Sequence, residues 1–277
     1  MAISINKVSE EIKQKIIEDY KNNVSLRSLE KKYDVSRRTI SIYLEKQGIK
    51  LTKGNHYRKY FHDEDFFEKI DTEEKAYWLG FMFADGYILN NENNYGQDCF
   101  GMALAKDSLD SLEKFKKSLK ATNPITWDTS KKVGQPQGRL LLRSQKTVND
   151  LIDKGCVKQK SLILEPPKKV PDNLIRHFIR GFFDGDGSIG KRYDSKRSYC
   201  SYLINITSTY DMVKWIKDYF QMGSVFPEKR RKNTWYFSLG GNHQVITFYH
   251  RLYDEATIWM DRKYQRFQEL LNKYNES

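Results

Sequence analysis

Cysteine, histidine and proline are scarce in this chain of 277 residues, which has three, five and six of them respectively. Three widely spaced cysteines predict neither a disulfide framework nor a zinc site. No two histidines stand three or four residues apart, so no histidine metal motif is present. No apolar run approaches the length of a membrane span, and the first residues lack the apolar segment of a signal peptide. We therefore expect a cytoplasmic protein with reduced thiols.

Positive charge is in excess. The chain carries 48 lysines and arginines against 36 aspartates and glutamates, a formal net charge of +12. Such a balance favours a polyanionic partner, although it does not identify one. The length allows about two domains.

A nine-residue apolar segment occurs twice and ends both times in Asp-Gly. Residues 78–86 read WLGFMFADG and residues 179–187 read IRGFFDGDG. Small residues stand four apart in each copy and so line one face of a helix, where they let two helix backbones approach closely. These small residues are Gly80 and Ala84 in the first copy, and Gly181 and Gly185 in the second.

The two copies predict adjacent carboxylates. Asp85 and Asp186 fall at helix C-termini, where the helix dipole disfavours a negative charge, and two carboxylates side by side repel each other. A cation bound by oxygen, Mg²⁺ or Ca²⁺, would compensate. Gly86 and Gly187 occupy the position at which helices commonly turn left-handed. An EF-hand is excluded, because the first copy has no equivalent of Asp184.

Both segments resemble the motif of the LAGLIDADG homing endonucleases in their two-motif, single-chain form, and the resemblance covers residues 60–272. It implies that Asp85 and Asp186 bind metal, with Ala84 and Gly185 beside them in the metal site. Mg²⁺ is the expected ion, and Ca²⁺ or Mn²⁺ can substitute. The implied activity is site-specific cleavage of double-stranded DNA across the minor groove. A catalytically inactive DNA-binding regulator and an intron RNA maturase are alternatives on the same fold.

Two lysines recur at the ends of the two halves, Lys160 and Lys263. Lysines near the cleavage centre recur in the family, and by this resemblance the pair supports the reaction, with Asp85 and Asp186 as the other catalytic residues. A surface lysine or a phosphate anchor is the alternative reading of each.

The repeat also predicts the fold. After each motif come two strands, a helix, two strands and a helix. This gives an α+β protein with a pseudo-two-fold duplicated αββαββα unit, whose two β-sheets the resemblance joins into one saddle. We place the halves at residues 73–165 and 166–277, after a linker at 51–72.

Residues 1–50 predict a small all-α domain of the helix-turn-helix type. Three helices are expected, the third beginning after the N-cap Ser36, with a core that includes Leu29, Val35, Ile40 and Leu44. The third helix would read DNA. A three-helix bundle for protein contact is the alternative. The residues expected to face DNA are Arg37, Arg38, Thr39, Ser41 and Tyr43.

Basic residues concentrate in the predicted hairpins, which are candidates for the major groove. They are Lys131, Lys132, Arg139 and Arg143 in the first half, and Lys191, Arg192, Lys196, Arg197, Lys229, Arg230, Arg231 and Lys232 in the second. The uneven charge of the halves predicts a long, non-palindromic double-stranded DNA target. With both motifs in one chain, we expect a monomer that needs neither a membrane nor an obligate protein partner.

Overall fold

The structure is a computed structural model that describes residues 8–22, 24–49, 51, 59–89, 98–129, 135–157, 163–194 and 199–275. The chain divides into two compact units, Met1–Phe61 and His62–Ser277. Phe66, Phe67 and Ile70 are buried in the core of the second unit. The segment predicted as a linker that becomes structured toward Phe66 and Phe67 thus ends in apolar side chains that pack against the core of the second unit.

The first unit contains three helices: α1 Glu10–Lys21, α2 Leu26–Tyr33 and α3 Arg37–Lys46. Each begins after a serine whose hydroxyl accepts a backbone N–H bond, and Ser36 is the N-cap of α3, as the sequence predicted. The four predicted core residues are fully buried, together with Ile16. Asp34 takes the left-handed conformation in the short turn between α2 and α3 (φ 53°).

The second unit contains the predicted repeat. The first half is formed by α4 Glu73–Ala84, β1 Gly86–Leu89, β2 Cys99–Ala105, α5 Leu109–Ser118, β3 Thr126–Asp128, β4 Gln137–Arg143 and α6 Gln145–Asp153. The second half is formed by α7 Ile175–Asp186, β5 Gly187–Asp194, β6 Tyr199–Ser208, α8 Tyr210–Phe220, β7 Ser224–Pro227, β8 Trp235–Gly240 and α9 Asn242–Tyr253. Short 3-10 helices precede α5 and α7.

Each half forms one antiparallel four-stranded sheet. The strand orders are β1-β2-β4-β3 and β5-β6-β8-β7, so the two halves share one topology. One face of each sheet is apolar and buried, for example Leu140 and Leu142 in β4, or Ile204 and Ile206 in β6. The predicted αββαββα duplication is confirmed.

One helix was not predicted. Helix α10, Asp261–Asn275, follows the second half and packs on α9 and β5. Phe267 and Leu270 are its buried apolar residues. Its first turn contains Lys263, the one residue of this helix for which the sequence predicted a role. Among the described residues, no helix combines the length and the apolar composition that a membrane crossing requires.

The motif helices α4 and α7 pack against each other through their glycines. A Cβ atom added to Gly80 would lie 2.0 Å from the carbonyl oxygen of Phe178, and one added to Gly181 would lie 1.9 Å from that of Tyr77. The two contacts are reciprocal, as a two-fold relation between the helices requires. The predicted close backbone approach is therefore present.

The two glycines that follow the motif aspartates have a different role from the one predicted. Gly187 is extended (φ −84°, ψ 163°), and Gly86 is not among the residues with positive φ. Each begins a strand directly. A Cβ on Gly86 would lie 2.6 Å from the Met82 carbonyl oxygen, and one on Gly187 would lie 2.2 Å from the Phe183 ring. Steric crowding by the preceding helical turn, and not backbone chirality, explains these glycines.

We expect Gly80→Ala to destabilise the protein by about 2–4 kcal/mol, because the new methyl group must force α4 and α7 apart at a backbone contact. Urea unfolding followed by circular dichroism measures this change. Gly190→Ala is the matched control, since a Cβ there meets nothing within 4 Å. Equal stabilities of the two variants would contradict the close packing of the motif helices.

Candidate active site and nucleic-acid interface

The joined ends of α4 and α7 bring the motif aspartates together. Asp85 is the C-cap residue of α4, and Asp186 is the last residue of α7. A Cβ on Gly185 would lie 2.2 Å from the Cβ of Ala84 and 3.4 Å from Oδ2 of Asp85. The Asp85 carboxylate thus lies beside the residue that precedes Asp186. Asp85 is half-buried and Asp186 is exposed.

Lys263 lies behind this pair. Its side chain is buried, and its ammonium donates to the carbonyl oxygens of Phe183 (2.6 Å), Asp184 (2.7 Å) and Gly185 (3.2 Å). It therefore caps the C-terminus of α7, where a cation is favourable. Burial lowers the pKa of Lys263 to about 8, against the opposing effect of the Asp184, Asp85 and Asp186 carboxylates.

The donor set suits a hard divalent cation. The two carboxylates belong to adjoining helix ends, and Mg²⁺ prefers oxygen ligands with several positions left to water or substrate. In the described part of the chain, no group of three or more His, Cys, Asp or Glu residues could hold a metal. Further ligands would therefore be carbonyl, water or phosphate oxygens. The Gly185 carbonyl accepts one hydrogen bond from the Lys263 ammonium at 3.2 Å and keeps a second lone pair.

Behind the site lie buried polar residues that the sequence did not identify. The Asp184 carboxylate is fully buried and accepts hydrogen bonds from the Tyr77 and Tyr253 hydroxyls and from the Met260 N–H. Arg180, also fully buried, donates to Glu73 of α4. The only signal in the sequence is an arginine and an extra aspartate inside an apolar motif.

His177 is buried beside this arginine, whose Nη1 lies 2.8 Å from its Nδ1. Burial, followed by the positive charge of Arg180, lowers the pKa of His177 to about 4. A neutral packing histidine is what this geometry supports.

The outward face of the first sheet carries Arg139 and Arg143, both exposed on β4. Arg139 lies 3.5 Å from the Asp128 carboxylate of β3. Tyr87 lies across the same face, since a Cβ on Gly101 would lie 3.0 Å from its hydroxyl oxygen. Lys131 and Lys132 lie outside the described residues.

In the second sheet, the strand register places Lys191 and Arg192 on opposite faces. Arg192 pairs with Ser201 on the outward face, whereas Lys191 pairs with the buried Tyr202 on the face that helices cover. Lys191 lies 3.0 Å from Glu269 of α10, which raises its pKa. Because side chains alternate along a strand, Lys191 lies on the opposite face from Arg192, beside α10, with its side chain 51% exposed. Its contact with DNA stays a prediction. Lys196 and Arg197 lie outside the described residues.

The basic segment after β7 is exposed beside a cleft. Lys229, Arg230, Arg231 and Lys232 are all exposed. A cavity of about 620 Å³ is lined by Thr207, Tyr236, Pro227 and residues 228–231. Thr207 and Tyr236 are register partners on the outward face of the sheet.

A row of polar residues on this face was not predicted, because its members carry no charge and are recognised only by the alternation of side chains along each strand. Ser188, Asn205, Ser238 and Ser224 are consecutive register partners across β5, β6, β8 and β7. Their strand neighbours Ile204, Ile206, Phe237 and Leu239 are fully buried. The alternation of these apolar residues is the signal that could have found the row.

In the first unit, the five residues predicted to face DNA differ in exposure along α3. Arg37 and Arg38 are exposed. Arg37 is paired with Glu30 of α2 at 2.9 Å, and the Thr39 hydroxyl is hydrogen-bonded to Ser36. Ser41 and Tyr43 are half-buried, and Ile42, which was not predicted, is 45% exposed. Lys160, the other predicted catalytic lysine, lies outside the described residues.

The duplicated αββαββα arrangement, with its paired motif helices ending in two aspartates, is the LAGLIDADG homing endonuclease fold. Solved structures confirm it. The chain is similar to the I-LtrWI LAGLIDADG homing endonuclease bound to target DNA, with a TM-score of 0.51, 13% identity and coverage of 74% of this chain and 91% of that one. For I-GzeII in complex with its DNA target, the corresponding values are 0.50, 15%, 71% and 88%.

The meganuclease I-SmaMI bound to uncleaveable DNA is similar to the same extent, with a TM-score of 0.51, 15% identity and coverage of 71% of this chain and 87% of that one. No protein-family model matches the sequence, and no curated protein matches it. At these identities the likeness establishes the fold.

We expect His177 to make stability depend on pH. Its pKa of about 4 in the folded protein lies below the unfolded value of about 6.5, so the unfolded chain binds the additional proton. Stability should therefore be greatest above pH 6.5 and fall by about 1–3 kcal/mol as pH drops from 6.5 towards 4. Chemical denaturation at a series of pH values measures it. In His177→Asn, which keeps an acceptor for Arg180, this part of the pH dependence should vanish. An unchanged profile would contradict the assignment.

Proposed function

We propose that this chain is a site-specific double-strand DNA endonuclease of the LAGLIDADG type. One observation carries the proposal: the packing of α4 on α7 places Asp85 beside Gly185 and hence next to Asp186. Two carboxylates at adjoining helix C-termini are electrostatically costly unless a cation joins them. The solved structures of the same fold include proteins bound to their DNA targets.

In this proposal Asp85 and Asp186 hold divalent metal, Mg²⁺ in the cell, with the Ala84 and Gly185 carbonyls as further candidate ligands. When bound, such ions lower the pKa of water and neutralise charge on the phosphate and the leaving oxygen. The chain itself contributes the fixed spacing of the carboxylates. A single shared site between the halves can then serve both DNA strands across the minor groove.

Lys263 supports the reaction by stabilising the end of α7. Its ammonium group is bonded to three carbonyl oxygens, so it is not directed at an attacking water. Its positive charge offsets the negative C-terminus of α7 and the negative charges of Asp85 and Asp186. Lys160 stays a prediction from the repeat, with the same role expected in the first half.

The outward faces of the two sheets supply DNA recognition. Their polar and aromatic residues alternate with the buried core, as a ribbon that enters the major groove requires. The exposed segment 229–232 and the β4 arginines would contact phosphates, which position the protein without reading sequence. Helix α3 adds a second reading element through Arg38. One chain contains both halves of the proposed site. The enzyme would therefore act as a monomer, and its DNA target would be long and non-palindromic.

Asp85→Asn and Asp186→Asn should each lower the rate of double-strand cleavage by more than about a hundredfold. Even groups that only orient metal ligands contribute 10- to 100-fold. A target is first selected from a randomised DNA library by sequencing the ends cut in Mg²⁺, and single-turnover cleavage is then followed on gels. Binding in Ca²⁺ should stay within about threefold of the original chain, because the carboxylates bind metal and not bases.

Asp218→Asn is the control, since this exposed aspartate of α8 is paired with Lys214. It should cut at the original rate. Rapid cutting by either motif variant would exclude the shared metal site. Specific binding by the original chain without cleavage would instead identify a DNA-binding regulator, and binding to RNA alone would identify a splicing helper.

A chain that begins at His62 should bind the target more weakly and with a flatter salt dependence, while cutting the same bonds at saturating protein. Each phosphate contact contributes a slope of about −0.9 in a log–log plot, and the first unit could supply roughly two to four contacts. Filter binding at a series of salt concentrations and footprinting measure both effects. The footprint should shorten on one side only.

Single substitutions separate DNA contact from loss of the domain. Arg38→Ala on the exposed face of α3 should weaken binding. Lys15→Ala removes an equal positive charge from α1, where Lys15 is paired with Glu11, and should leave binding unchanged. If the truncated chain binds with unchanged affinity and footprint, the first unit has a role other than DNA reading.

A further inference from the structure

Residues 254–260, which we name the strap, join α9 to α10 and are held by hydrogen bonds from both halves. From the first half, Glu73 accepts the Thr257 N–H (2.7 Å), and the Lys114 ammonium donates to the Trp259 carbonyl (3.1 Å). From α7, Arg180 donates to the Ile258 carbonyl at 2.9 Å. The strap is therefore held by side chains of both halves.

Asp184 fastens the last residue of the strap. Its Oδ2 accepts the Met260 N–H at 2.8 Å, while the Tyr77 and Tyr253 hydroxyls donate to the same carboxylate at 2.9 and 2.7 Å. All three donors converge on a fully buried carboxylate. A buried N–H without an acceptor is costly, so replacing Asp184 should release Met260.

Met260 in turn sets the position of Lys263. The Met260 carbonyl accepts the backbone N–H groups of Lys263 (3.1 Å) and Tyr264 (3.0 Å), which is the first turn of α10. The Lys263 ammonium in turn donates hydrogen bonds to the carbonyl oxygens of residues 183–185 at the end of α7. Asp184, Met260 and Lys263 thus form a closed chain of hydrogen bonds around the helix end that carries Asp186.

The first motif has Phe83 where the second has Asp184. Phe83 is fully buried and packs edge-on against Phe178 at 5.0 Å between ring centroids. The corresponding position of the first half therefore offers an aromatic contact in place of a hydrogen-bond acceptor. The carboxylate that fastens the strap belongs to the second motif alone.

We propose that Asp184 is a positioning residue of the second half-site, which holds Lys263 against the C-terminus of α7 through Met260 and the strap. It touches neither substrate nor metal, and it acts by fixing the end of the helix that carries Asp186. This inference rests on the proposed endonuclease activity for its effect on rate, and on the hydrogen bonds alone for its effect on the strap.

The first test is amide hydrogen exchange on the metal-free full-length protein. The Met260 amide should be protected in the original chain, a measurement that needs no variant. In Asp184→Ala it should exchange about 10- to 100-fold faster, as expected for loss of a hydrogen bond to a charged group. Asp184→Asn keeps an acceptor and should restore most of the protection. Tyr253→Phe is the matched control, because it removes one bond from the same carboxylate and leaves Met260 paired.

The second test is a double-mutant cycle on cleavage of the selected target. Asp184→Ala and Lys263→Met should each slow single-turnover cleavage about 10- to 100-fold, while binding in Ca²⁺ changes by less than about threefold. The double variant should be no slower than Lys263→Met, because both changes remove one positioning device. Asp184→Asn should cut much faster than Asp184→Ala.

The proposal would be overturned if the double variant were slower than Lys263→Met by the full factor that Asp184→Ala shows alone. An unprotected Met260 amide would also overturn it, and so would an Asp184→Asn variant that cuts as slowly as Asp184→Ala. If the original chain cuts no selected DNA, the proposed endonuclease function fails. The exchange comparison then still decides whether Asp184 holds the strap.

Discussion

The contact between the backbones of α4 and α7 is the constraint on which the candidate site depends. Gly80 and Gly181 each face a carbonyl oxygen of the opposite helix at a distance that leaves no room for a Cβ. Such packing fixes the rotation and the axial shift of both helices, since backbone atoms cannot change rotamer. The helix ends, and with them Asp85 and Asp186, are therefore placed together by the glycines several residues earlier.

Two neighbouring carboxylates repel each other, and a buried lysine beside them offsets this repulsion. Lys263 is buried against the carbonyls at the end of α7, and its lowered pKa reflects how much solvation it has lost. Its position depends in turn on α10 and on the strap, which Asp184 and Arg180 hold through bonds to Met260 and Ile258. A buried charged network of this kind requires every partner to be satisfied, and its members are distributed over both halves.

Sequence periodicity predicted most of the fold, because the apolar residues of each element repeat with the period of a helix or a strand. It failed where tertiary contacts override local pattern. Helix α10 begins beside Lys114 of the first half, a contact that local sequence does not show. The charge of Lys191 predicted a DNA contact without showing that the register pairs this residue with Tyr202. The Asp-Gly pattern predicted a left-handed cap at Gly86, whereas crowding by Met82 accounts for this glycine.

By itself the sequence determined the duplicated architecture and the two motif aspartates, because small residues four apart and a repeated Asp-Gly are local patterns that report helix packing directly. It also determined the core of the N-terminal helices. Tertiary structure alone decided which charges are buried and which face of each sheet is open. Lys263, Asp184 and Arg180 acquire their roles from partners remote in the chain, and hydrogen bonds between remote residues leave no periodic trace in a single sequence.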